Sequence, residues 1–151
     1  MTDAEIEALV YTTLSDCMKM LRRKEYELDL PPDALARARK ALKFHRRQGG
    51  RSSGGANKIN ICLNGWQRGN TIFKEYASFA DDQIIGSRPM TSDADYYMLI
   101  TAHEVAHHIQ YAYCQRISRY RLTYRKPHGD CFKAIYRYLR RDLINPMLNV
   151  L

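Results

Sequence analysis

The apolar positions of this chain follow helical spacing at both ends and alternate with polar ones in the middle. Thr2 followed by Glu5 reads as a capping box, and Ile6, Leu9, Val10, Leu14, Cys17 and Leu21 then recur at helical spacing. The pattern predicts an amphipathic helix from about residue 3 to the mid-twenties. Pro31-Pro32-Asp33 breaks it and starts a second helix, with Leu35, Ala38, Leu42 and Phe44 as its buried stripe. Gln48 to Lys58 (QGGRSSGGANK) reads as a loop, a connector rather than a substrate-contacting segment. Ile59 to Leu63 alternates apolar and polar residues as a half-buried strand does, and Asn64-Gly65 follows as a turn. A second strand is expected between Ile72 and Phe79, pairing with the first in a small antiparallel sheet.

Pro89 closes the next loop, and Ser92-Asp93-Ala94-Asp95 caps a long helix that carries Leu99, Ile100 and Ile109. A basic loop from about Ser118 to Pro127 leads to a last helix, His128 to about Leu143, with Phe132, Ile135, Tyr136 and Leu139 as its stripe. Pro146 ends it. The order ααββαα argues for one α+β domain across residues 1–151, with a helical part at 1–47 and a core at 57–145.

The long helix contains His103-Glu104-Val105-Ala106-His107. Residues four apart lie one turn above each other on the same helix face, so the two imidazoles can grip one metal ion. Glu104 stands beside them, within reach of a metal-bound water as a general base. Small Ala106 and apolar Leu99, Ala102 and Ile109 place this helix against the core, so the histidines are expected to be partly buried.

Composition removes several alternatives. No stretch is long and apolar enough for a membrane span, and MTDAEIEALVYTTL lacks the basic start of a signal peptide, which points to the cytoplasm or nucleoid. Cys17, Cys62, Cys114 and Cys131 include no CxxC pair, which excludes a zinc ribbon and leaves them as small buried hydrophobes. The net charge of +8 is concentrated after the histidine motif and between Arg37 and Arg51, which favours a polyanionic partner, nucleic acid first. Arg116, Arg119, Arg121, Arg125 and Lys126 are the candidate phosphate contacts. Tyr111, Tyr113, Tyr120, Tyr124, Tyr136 and Tyr138 interleave the basic residues and can stack on bases or pack in the core.

A catalytic zinc takes three protein ligands and keeps a fourth position open. No glutamate follows Glu104, and Gln110 and Tyr113 stand where the extended pattern HExxHxxGxxH needs Gly and His. His108 points about 100° away from His107 around the helix and is expected to be a surface histidine or one supporting a ligand. His128 remains as the third ligand, with Asp130, Cys114, Cys131 and Asp142 as weaker options. Tyr111, Tyr124 and Arg125 are candidate donors to an oxyanion. The stretch Glu75 to Phe79 is a candidate edge for an extended substrate.

The motif, followed by Pro127-His128-Gly129-Asp130-Cys131-Phe132-Lys133, resembles the SprT-like zinc metallopeptidases, which include the Spartan proteases. The resemblance covers about residues 57–145. It implies a zincin-like fold, one Zn2+ on His103, His107 and His128, Glu104 as general base, and a protein substrate on or near DNA. The chain lacks the C-terminal cysteine ribbon and partner-binding tail of many members. Rival readings are a non-catalytic, zinc-stabilised DNA-binding module, which would need no general base, and a zinc hydrolase with a non-protein substrate. Small size alone also admits a protein that binds or blocks a host factor.

Overall fold

In the structure, a computed structural model that describes residues 1–46, 50–66 and 71–148, helix α1 spans Asp3–Leu21. It opens on the expected capping box: Glu5 N donates to Thr2 Oγ1, and Thr2 N donates to the Glu5 carboxylate. Val10, Leu14, Cys17, Met18 and Leu21 are fully buried, because α1 packs along the helix that bears the histidines.

Helix α2 covers only Ala34–Ala41. Leu42 turns to extended backbone and the chain continues as strand β1, Leu42–His45, so Leu42 and Phe44 belong to a strand and not to the second helix. Leu42 continues the helical spacing of Leu35 and Ala38, which is why a helical stripe claims it, whereas Phe44, two residues on, shares a side with Leu42 only in a strand. Strand β2 (Ser53–Gly55) lies in the glycine-rich stretch expected to be a loop, and strand β3 is Lys58–Cys62. Arg47, Gln48 and Gly49, part of that loop and of the Arg37–Arg51 basic run, lie outside the described residues.

The sheet order is β1-β3-β2, parallel between β1 and β3 and antiparallel between β2 and β3. The sheet is therefore mixed, and β3 does not pair with a strand from 72–79. That stretch contributes only strand β4, Ile72–Phe73, which pairs with β5, Arg88–Pro89, so Pro89 sits in a short ladder. Ile59 and Ile61 of β3 face the core, and Lys58 and Asn60 project from the opposite face.

Helix α3, Asp93–Tyr113, begins at Ser92, whose Oγ accepts from Asp95 N at 3.3 Å. It is buried on nearly every side, with α1, β2 and β3 around it and helix α4 (Asp130–Leu139) across it. Phe132, Ile135, Tyr136 and Leu139 of α4 are fully buried, as their spacing predicts. The chain then widens into a π-helical turn, Arg140–Ile144, and Pro146 lies within a further short turn, Asn145–Met147, instead of ending the helix. This mixture of helices and small sheets is an α+β architecture. Among the described residues no helix is long and apolar enough to cross a membrane, and the four cysteines are buried and free.

Candidate metal centre

His103 and His107 occupy successive turns of α3, buried to 6% and 7% exposure, and Glu104 beside them is 4% exposed. His128 enters from the loop before α4 and meets the pair. Its Nε2 lies 3.2 Å from His107 Nε2 and 3.4 Å from His103 Nε2. The three ligand atoms all fall within 4.8 Å of one another. Four-coordinate zinc with Zn–N bonds of about 2.0–2.1 Å separates its nitrogen ligands by about 3.3–3.4 Å, so the two spacings from His128 suit a tetrahedral ion. Asp130, Cys114, Cys131 and Asp142 do not join the group: Asp130 faces Lys133, Asp142 is held by Tyr26 and Arg141, and the two cysteines are core residues.

His107 and His128 are prepared to be neutral lone-pair donors. Burial lowers His107 to about 3 and His128 to about 4, and the neighbouring His103 pushes both in the same direction. His107 Nδ1 donates to Gln110 Oε1 at 3.0 Å, which fixes the tautomer and leaves Nε2 free for a metal. Gln110 Nε2 in turn donates to Lys126 O at 2.6 Å, two residues before His128. One side chain therefore holds His107 and anchors the loop that brings His128. His103 Nδ1 faces Glu75 Oε2 at 3.4 Å, too skewed for a hydrogen bond but in electrostatic contact.

Glu75 is itself buried, at 1% exposure. Tyr136 donates to its Oε1 at 2.5 Å, and Arg140 Nη1 lies 3.5 Å from the same oxygen. Arg140, 1% exposed, also donates to Tyr136 Oη, Ile85 O, Gly86 O and Asn145 Oδ1. Buried Glu75 and buried Arg140 thus form an ion pair behind the three histidines. Nothing in the local sequence announces this pair, since the partners are separated by more than sixty residues.

Among the described residues, Glu104 has no such counter-ion in hydrogen-bonding contact. Burial raises its carboxyl to about 7, with His103 opposing the shift and the negative charge of Glu75 adding to it. Glu104 lines two adjoining cavities that also share His103 and Tyr76. The larger, about 360 Å³, ends on Phe73, Tyr96 and Ile100; the smaller, about 210 Å³, runs past Gly54, His107, Tyr111 and Pro127. Tyr76, which the sequence reading passed over, lies with its ring centroid 3.7 Å from that of His128.

Strand β2 forms one wall of the smaller cavity. A Cβ on Gly54 would stand 2.3 Å from Glu104 O and 2.9 Å from His107 Cβ, so only glycine lets the strand approach α3 this closely. His108 is fully buried rather than on the surface, and its Nδ1 donates to Gly55 O at 3.0 Å, tying β2 to α3. The edge beside the histidines is therefore β2 and not Glu75 to Phe79, which is irregular.

Of the candidate oxyanion donors, Tyr111 lies at the site, its ring stacked 6.1 Å from that of His107. Tyr124 and Arg125 do not: they line a separate surface hollow with Arg121 and Leu122, and Arg125 Nε donates to Tyr124 Oη. Arg119 donates to Tyr26 O and Glu27 O, clamping a turn where Glu27 has φ 54°, and Arg116 lies over the Tyr113 ring. Arg121 and Lys126 are exposed. Tyr113, Tyr120 and Tyr136 are buried in the core, while Tyr111, Tyr124 and Tyr138 are half-buried.

Compared with known proteins, the chain matches no family model, no curated protein and no solved structure. The three histidines could hold a metal ion, and that statement rests on their geometry alone.

Proposed function

We propose that this protein is a zinc-dependent peptidase of zincin-like layout, with His103, His107 and His128 as ligands and Glu104 as general base. The observation that carries the reading is the convergence of three imidazole Nε2 atoms beside a buried carboxyl on the shared wall of two cavities. Three nitrogen donors favour zinc over magnesium or calcium, which prefer oxygen ligands, and three protein ligands leave a fourth position for the reaction. Zinc bound there supplies Lewis acidity, which lowers the pKa of a water and polarises a carbonyl.

The chain's own residues do the remainder. Glu104 in its carboxylate form accepts the proton of the attacking water and passes it to the leaving amine. Tyr76, which lines both cavities, and Tyr111, which lines the smaller, offer hydroxyls to a carbonyl oxygen that gains charge. Ser53 and Gly54 give β2 an unpaired edge along the smaller cavity, where an extended polypeptide can add backbone hydrogen bonds beside Glu104. That edge favours a peptide over a non-protein substrate.

The likeness of His103–His107 and Pro127–Lys133 to the SprT-like peptidases supports the same chemistry and extends it to proteins on or near DNA, in the cytoplasm or at the nucleoid. A purely structural zinc site has no use for a buried glutamate beside its ligands at a cavity wall, which counts against a non-catalytic module. Glu104→Gln provides the test. It should retain zinc and lower the rate of cleavage of an unfolded protein substrate by about 10²–10⁴-fold. Cleavage at the wild-type rate by that variant would end the assignment of Glu104.

A further inference from the structure

The outer face of the three-stranded sheet carries a second site-like feature. Lys43 lies beside Asn60 in the β1–β3 register, and Ser53 lies beside Asn60 in the β2–β3 register, so these side chains share the face turned away from Ile59 and Ile61. With His45, Lys58 and Arg51 they line a groove of about 410 Å³ that has no aspartate or glutamate in its wall. Lys43, Arg51 and Lys58 are exposed, and none of them takes part in an ion pair among the described residues. Lys43 and Lys58 are diagonal neighbours, a relation that puts Cα atoms about 7–8 Å apart across a sheet. Cations delivered from two strands and a flanking segment, over a floor of Ser, Asn and His donors, form an array for consecutive anionic groups.

The segment 116–126 contrasts with this. Arg119 is committed to two backbone carbonyls, and Arg116 and Arg125 lie over tyrosine rings. Its charge is partly consumed by structure.

We infer that the outer sheet face is the nucleic-acid contact of this protein, its groove holding the phosphate backbone of a single strand. Lysines and arginine neutralise phosphates, and Ser53, Asn60 and His45 donate to phosphate oxygens. A concave site of this volume is of ligand size. It suits one flexible strand better than the broad cylinder of a duplex or the flat surface of a bilayer. Ser53 lines both this groove and the smaller cavity, and Gly50 and Arg51 line both it and the larger one. The bound strand therefore lies one β-strand away from the three histidines. This inference sharpens the partner in the peptidase reading above, but binding stands on the groove alone.

The test is a fluorescence-anisotropy titration of the full chain with labelled oligothymidine, a duplex of the same length and polyglutamate. Wild type should bind the single strand most tightly. Lys43→Glu with Lys58→Glu should weaken binding at least tenfold, and replacing both by Gln should lower the slope of log K against log salt by about 1.4, at about 0.7 per phosphate contact. Zinc content and circular dichroism, read on each sample, should stay unchanged, and the Gln pair replaces the Glu pair if the latter fails to fold. Arg121→Glu with Arg125→Glu should have the smaller effect. Tighter binding of duplex or polyglutamate, loss confined to the Arg121/Arg125 pair, or no binding by wild type would each overturn the inference. Peptide cleavage is not read here: protein that binds but never cleaves keeps this inference and sinks the peptidase reading, and cleavage without binding does the reverse.

Discussion

The two α3 histidines stand one turn apart, yet they are held by structure of different kinds. His107 is supported from its own helix by Gln110, which also ties down the loop that delivers His128. His103 is backed by Glu75 from an irregular segment, and Glu75 depends on Tyr136 of α4 and Arg140 of the π-helical turn. One support is local and neutral; the other is long-range and charged. The local one forms with the helix itself, whereas the charged one exists only when three distant segments have packed. Metal affinity and overall stability should therefore be coupled through His103 far more than through His107.

The strongest way to break this contrast is Arg140→Met. Removing the guanidinium leaves Glu75 buried without its counter-charge, a loss that typically costs about 3–5 kcal/mol. Urea unfolding of the metal-free variant should show a drop of that order. A drop under about 1 kcal/mol would mean that Tyr136 alone is enough to hold the carboxylate.

A gentler pair of variants separates the two supports. Glu75→Gln keeps the volume and loses the charge, and zinc affinity measured by chelator competition should fall by about 10–100-fold. Gln110→Ala should weaken zinc by about tenfold, the low end of that range, because it removes a neutral acceptor. Should Gln110→Ala prove the worse of the two, the tie to Lys126 O, and so the delivery of His128, outweighs the charge behind His103.

The last expected effect is a pH dependence of the metal-free protein, read in its stability and not in its zinc affinity. His107 and His128 bind protons only at about 3 and 4 in the folded chain, against an ordinary value of 6.5. Below pH 6.5 the unfolded chain takes up protons that the folded chain refuses, so stability falls as pH drops from about 6.5 towards 4. Glu104, raised to about 7, works in the opposite sense across the window from its ordinary 4.5 upward and offsets part of this. The net loss should be on the order of 2 kcal/mol. Chemical unfolding at a series of pH values would show it, and saturating zinc should suppress it above about pH 5. Stability of the metal-free chain that rises on acidification through this window would contradict the burial assigned to the histidines.

How far the site can be read from sequence follows the same division. Periodicity and caps define α1 and α3, and the stripe Phe132, Ile135, Tyr136 and Leu139 defines α4, because these signals are local. His128 is reachable by elimination, since few ligand types follow the motif. Glu75 and Arg140 are invisible to such reasoning, for a buried ion pair leaves no trace in spacing. Strand β2 hides for another reason. Gly and Ser read as loop, but here the missing side chain at Gly54 is what lets a strand lie against Glu104 and His107. Arg119 misleads in turn, since an arginine among arginines looks like a phosphate contact and is occupied with carbonyls of the Tyr26–Glu27 turn. Even Gln110, read first as the residue that rules out an extended HExxHxxGxxH pattern, turns out to join His107 to the loop that brings His128.

The central claim is that three histidines, two local and one delivered by that loop, hold one metal ion. Zinc content of wild type and His128→Ala, purified side by side and measured by atomic emission, tests it most directly. Wild type should carry about one zinc per chain and His128→Ala should lose most of it while keeping its helical circular dichroism. A His128→Ala protein that retains its full zinc complement, or a folded wild type that takes up none, would contradict the account.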